Sequence, residues 1–194
     1  MNEGISGMNV RWLAVLLACS GAVVTAQQGP RLKLTIPAFT DAGPIPLRFT
    51  CYAEGGMAIT PAMQWTNVPA AARSFAIILT GPENQRQRGH TQAFFWARWN
   101  IPVEMRQLAE GQPRGAELPD GSRQLPSDDN IVGYDPPCAP AGAGPIHYQF
   151  KLYALDQALA LPADASRDAV MKAMDGHILG SSVYYGTLER APQR

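Results

Sequence analysis

A mainly β fold, with short strands, many turns and a few short helices, is predicted by three features of the 194-residue sequence. The 18 glycines and 17 prolines recur along the whole chain, which interrupts helices and favours turns. The apolar segments are short. They either alternate with polar residues or lie as continuous runs between turn residues, the patterns of half-buried and fully buried strands. Hydrophobic residues make up 46% of the chain and charged residues 16%, which excludes a disordered polymer. A chain of this length suits one domain, able to bury roughly 70% of its unfolded surface.

The elements follow in order. Residues 32–36 alternate and read as a first strand, with Leu32, Leu34 and Ile36 on one face. Pro44 and Pro46 bracket a turn, and residues 47–52 read as a second strand. Residues 74–80, SFAIILT, form an apolar run between turn signals, as expected of a strand buried on both faces. Residues 93–101 are aromatic strand material, ended by Pro102. In residues 146–154 the apolar set Ile146, Tyr148, Phe150, Leu152 and Ala154 alternates with His147, Gln149 and Lys151. A helix begins after Ser166 as N-cap, with Asp168 near its positive dipole end, and stops at Gly176. Residues 178–188 read as the last strand, broken at Gly180 and Gly186. Between Val103 and Pro145 lies a Gly-, Pro-, Asp- and Ser-rich stretch, expected to be functional or partly ordered. No repeat and no linker marks a second domain.

The N-terminal segment reads as an address. Arg11 precedes an uncharged run whose apolar core, residues 12–24, has 13 residues, short for a span of about 20 but suited to a signal peptide. Val24 and Ala26 supply small side chains for a cut after Ala26. Residues 1–26 are then a signal peptide and 27–194 one domain, periplasmic or secreted. Two other readings stay open: a lipoprotein acylated at Cys19, and an uncleaved anchor. All three export the protein, and membrane contact arises only through Cys19 or an uncleaved signal. In an oxidising compartment Cys51 and Cys138 are either one disulfide or two small buried thiols.

Charge and motifs narrow the chemistry. Sixteen basic and sixteen acidic residues give no net charge, so there is no global field for nucleic acid or anionic lipid. The G-x-S-x-G, H-E-x-x-H, Walker A and G-x-G-x-x-G patterns are missing. His90, His147 and His177 are scattered, and Ser127-Asp128-Asp129-Asn130 reads as a capped turn more readily than as a cation loop. No metal site and no cofactor is expected. Trp65, Trp96, Trp99, Phe94 and Phe95 read as core.

Several short motifs, in order, resemble the phosphatidylethanolamine-binding protein family, above all its bacterial Raf-kinase-inhibitor-like branch. They are Phe49-Thr50-Cys51, Thr60-Pro61, Trp65-Thr66-Asn67-Val68-Pro69-Ala70, Trp99-Asn100-Ile101-Pro102, the loop Gly133-Tyr134-Asp135-Pro136-Pro137-Cys138-Ala139-Pro140, and Tyr148-Gln149-Phe150-Lys151-Leu152-Tyr153. The resemblance covers about residues 32–190. It implies two packed β-sheets with a few short peripheral helices, and a small surface pocket that in relatives accepts phosphate-like or carboxylate groups.

The resemblance assigns that pocket to Gly81, Pro82, Glu83, Phe95, Pro137, Ile146 and Tyr148. Four of these depart from the family. Gly81 stands where an Asp is usual, Glu83 stands for a second Asp and is one methylene longer, and Phe95 and Ile146 stand where the family carries histidines. Two imidazole donors are thereby replaced by apolar surface, and the remaining carboxylate, Glu83, repels an anion if ionised and close. The expectation is an exported, non-enzymatic binding or protein-interaction module with a degenerate anion pocket, its small ligand or protein partner unnamed. The alternatives are an inhibitor of an exported protease or other enzyme, and a weak hydrolase using Glu83 as base.

Overall fold

A computed structural model describes Met1 and residues 31–83 and 92–192. The signal-peptide reading, Cys19, the cut after Ala26 and His90 lie outside the described residues. Nine strands form two sheets among those residues. The smaller sheet contains β1 (Lys33–Thr35), β3 (Met63–Thr66) and β6 (Gln107–Leu108), in the order β1-β3-β6. The larger has the order β2-β9-β8-β4-β5-β7. It is built from β2 (Gly43–Pro44), β4 (Ser74–Gly81), β5 (Ala93–Pro102), β7 (Arg123–Gln124), β8 (Ile146–Leu155) and β9 (Ile178–Leu188). The fold is therefore the two-sheet, mainly β architecture that the sequence predicts.

The apolar run of β4 is central because it has no polar face to give to water. All eight of its residues are buried, between antiparallel partners β5 and β8. One face of the large sheet meets the small sheet in a core that includes Trp65, Phe75, Phe95, Trp96, Tyr148 and Phe150. The other face carries a second core of Ile78, Phe94, Trp99 and Leu155 with Val170 and Met174 of α1 (Arg167–Met174). Strand β8 alternates, with Ile146, Tyr148, Phe150 and Leu152 buried and His147, Gln149 and Lys151 half-buried. The helix α1 starts at the N-cap Ser166, whose hydroxyl accepts the Ala169 N–H at 3.2 Å. Asp175 caps its end, and Gly176 turns the chain away at φ 78°.

Two sequence expectations are corrected. Residues 47–52 are not a strand: Leu47–Phe49 is one turn of 3-10 helix. Pro46 accepts the Phe49 N–H at 3.0 Å, and both the amide and the hydroxyl of Thr50 donate to the Leu47 carbonyl. A strand would put Leu47 and Phe49 on one face. The turn instead seals Phe49 in the core and leaves Leu47 59% exposed. Strand β9, in turn, is not broken at its glycines. Gly186 pairs with Tyr148 on one side and Gly43 on the other. A Cβ there would lie 2.4 Å from Ile45 Cγ1, so glycine is present for close approach, not as a break.

The stretch from Val103 to Pro145 is ordered around a buried cation. Arg98 of β5, 3% exposed, donates from Nε to Ser122 Oγ at 2.8 Å, from Nη2 to Asp120 at 2.5 Å, and from Nη1 to Gln112. Gln124 ties the same stretch by accepting the Trp96 indole N–H at 2.7 Å and donating to the Pro113 and Gly115 carbonyls. Burial alone would push the Asp120 carboxyl up. Hydrogen bonds from Ser122 and the charge of Arg98 outweigh it and hold the group below its ordinary value. Such a depressed carboxyl stabilises the fold at neutral pH and loses that contribution as the pH falls through its folded value. Asp120→Asn, which leaves Arg98 buried without a countercharge, should cost about 3 kcal/mol in urea unfolding at pH 7. The gap between variant and wild type should begin to narrow near about pH 4, where the unfolded aspartate protonates, and close only below the lower folded value of Asp120. A gap of constant size would contradict this account.

Candidate functional site

Three strands and a loop bring the predicted pocket residues to one end of the large sheet. Gly81 closes β4 against Ala93 of β5, and Pro82 and Glu83 leave the strand there. Phe95 stands on β5, Ile146 and Tyr148 on β8, and Pro137 on the loop that joins the sheet to residues 49–52. Register explains the meeting of β4 and β8: Thr80 pairs with Gln149, so the residues after Thr80 run alongside His147.

The centre of this arrangement is filled. The rings of Phe95 and Tyr148 are fully buried and meet edge to face at 5.3 Å. Ile146 is 6% exposed. The Tyr148 hydroxyl donates to the Cys138 carbonyl at 2.8 Å, and Tyr134 donates to the Phe49 carbonyl at 2.7 Å. Tyr52 donates to the Ala139 carbonyl. Three phenols thus clamp the 134–140 loop through its carbonyls or its own ring. A disulfide completes the clamp: Cys51 and Cys138 are bonded, with their Cα atoms 5.3 Å apart. Next to it the Cys51 N–H donates to the Pro137 carbonyl at 3.0 Å.

Glu83 stands apart from this buried group. Its carboxylate accepts the His147 backbone N–H at 2.8 Å and lies 2.7 Å from His147 Nδ1. A carboxylate only accepts, so the proton of the ring contact sits on Nδ1. Both side chains are nearly half exposed. The imidazole belongs to the alternate set on β8, opposite to Ile146 and Tyr148. His147 therefore does not supply the donors that Phe95 and Ile146 lack.

The sequence reading missed one group. Asp135 is 5% exposed, and its N–H donates to the Phe95 carbonyl at 3.2 Å. It sits beside Tyr134, whose phenol is pushed well above its ordinary value by burial, with Asp135 and Tyr148 adding to the effect. An aspartate between a tyrosine and two prolines has the composition of an exposed turn, so nothing in the local sequence marks it as buried. Among the described residues no group of three His, Cys, Asp or Glu is gathered for a metal ion. Ser127 caps its own turn, its Oγ accepting the Asp129 and Ile131 amides, while Asp128 ties the turn to β5 by accepting the Phe94 N–H.

The disulfide closes a separation of 87 residues. Replacing both cysteines with serine should lower stability by about 4 kcal/mol on the chain-entropy model, read from urea midpoints with and without reductant. A loss below about 1 kcal/mol would mean that the three phenols hold the loop by themselves.

Comparison with known proteins agrees with this fold. The family model for phosphatidylethanolamine-binding proteins matches residues 35–189. A UPF0098 protein of Methanothermobacter thermautotrophicus is 39% identical over 163 residues, covering 82% of this chain and 99% of that protein. A relative with a lipoprotein name, LppC of Mycobacterium tuberculosis, is 30% identical over 168 residues, covering 87% of this chain and 77% of its own. The crystal structure of the family homologue CT736 from Chlamydia trachomatis superposes with a TM-score of 0.71 at 29% identity, covering 82% of this chain and 98% of that one. The chain belongs to the phosphatidylethanolamine-binding protein family.

Proposed function

We propose that the protein is an exported, non-enzymatic binding module whose family pocket has lost its affinity for phosphate-like anions. The observation that carries this reading is the buried Phe95–Tyr148 ring pair, with Asp135 beside it. An anion site needs convergent donors in a partly dry recess. Here the ring edges leave no donor, and the Tyr148 hydroxyl is spent on a backbone carbonyl. Glu83, the candidate base of a hydrolase, has both oxygens on His147, and no nucleophile is held against the pair by a hydrogen bond among the described residues.

Export is supported by three observations. The uncharged run after Arg11 has the length of a signal peptide core. The relative LppC carries a lipoprotein name. A disulfide between Cys51 and Cys138 suits an oxidising compartment. Among the described residues no helix is long and apolar enough to cross a membrane.

Titration with phosphate and phosphoethanolamine, read as melting temperature, tests the pocket. A ligand at 100 times its dissociation constant would stabilise by about 2.7 kcal/mol. No shift is expected from either anion, and a saturable shift that Tyr148→Phe removes would overturn the reading. Glu83→Gln should leave any trace hydrolysis of ester substrates unchanged, whereas loss of a measurable rate would restore the hydrolase alternative.

A further inference from the structure

A second recess lies on the opposite face of the large sheet, built by the neighbour of Phe95. Phe94 points to the α1 side, and there a cleft of about 460 Å³ opens between the turn at residues 126–132 and the start of α1. Its wall is mostly apolar, with Phe94, Leu125, Pro126 and Val132 along one side. Arg167 enters from the first turn of α1. Its guanidinium carbon lies 4.5 Å from the centroid of the Phe94 ring, a stack that holds the charged plane in place.

Arg167 has donor capacity to spare. Its Nη1 is shut off from solvent and donates no hydrogen bond to any described residue. Asp128 Oδ1 faces it at 3.7 Å, beyond hydrogen-bond reach. Asp128 is 2% exposed and cannot close that gap freely, since its Oδ2 is anchored by the Phe94 N–H at 2.8 Å. The Arg167 side chain keeps 22% exposure, and the residue lines the cleft. The charge of Arg167, after burial, pushes the nearby Lys151 ammonium below its ordinary value, and Lys151 Nζ donates to Gln92 at 3.2 Å. Asp128 and Asp168 supply negative charge near Arg167, and Asp164 lies on the exposed rim of the cleft.

We propose that this cleft is a second binding site, for a small organic monocarboxylate on an apolar or aromatic body. The carboxylate pairs with Arg167, and the body lies against Phe94, Leu125 and Val132. The site uses none of the residues of the family pocket and stands whether or not that pocket binds anions. A cleft of this volume holds a fragment-sized ligand, and a guanidinium on an aromatic ring favours a planar carboxylate over a bare cation or a neutral group.

The test is calorimetric titration of the full chain with benzoate and hexanoate, beside benzyl alcohol (body without charge) and acetate and phosphate (charge without body). Benzoate or hexanoate should bind saturably, and the three controls at least tenfold more weakly. Arg167→Met keeps the stack on Phe94 but removes the charge, and should weaken binding at least tenfold. Val132→Phe leaves Arg167 untouched and fills the cleft, so it should abolish binding even if the arginine variant fails to fold. Absence of saturable binding by both carboxylates up to about 10 mM, undiminished binding in either variant, or acetate and phosphate matching benzoate would each overturn the proposal.

Discussion

Burial of β4 and β5 on both faces is the constraint on which the molecule depends. Strand β4 has no exposed residue, and β5 has only its last turn of chain partly open. Such a pair needs cover above and below. The small sheet supplies it on one side, and α1 with residues 125–132 supplies it on the other. Consecutive residues of β5 then serve different cores. Phe95 joins the inter-sheet core and fills the position of the family pocket, while Phe94 floors the cleft under Arg167. The one polar side chain that β5 buries deeply, Arg98, is tolerated because a loop folds over it with Asp120, Ser122 and Gln112.

The positions that the resemblance assigns to the family pocket stand on one frame: Gly81 ends β4, Pro137 holds the loop, and Tyr148 lies on β8. The phenols of Tyr52, Tyr134 and Tyr148 all donate to backbone carbonyls, so they stabilise the loop and present nothing to a ligand. The Cys51–Cys138 bond adds a covalent tie at the same place. Phe95 and Ile146 pack there as core, and such burial stabilises the domain by roughly 25 cal/mol per Å² of apolar area.

Much of this architecture is legible in the sequence because it rests on patterns of period two and on caps. The uninterrupted run of β4, the alternation of β8 and the Ser166 cap of α1 all emerge as the residues alone predict. The failures have a common cause. The 47–49 turn depends on Phe49 finding a core and Leu47 finding solvent, which alternation cannot express. The glycines of β9 look like breaks until Ile45 is seen pressed against Gly186. The contacts of the two sites are longer in range still. Glu83 and His147 are 64 residues apart and meet only through the β4–β8 register. Asp135 and Arg167 have the local composition of exposed residues, yet Asp135 is buried beside Tyr134 and Arg167 is half-buried on Phe94.

The most direct test of the whole account is an amide chemical-shift map of the protein titrated separately with phosphoethanolamine and benzoate. The two aromatic neighbours on β5 report the two recesses independently. The account predicts saturable benzoate shifts at Phe94, Ser127 and Arg167, with Phe95 and Tyr148 unmoved by either compound. Saturable phosphoethanolamine shifts at Phe95, Pro137-adjacent Cys138 and Tyr148 would contradict it, because they would show that the ring pair opens and that the family pocket still works.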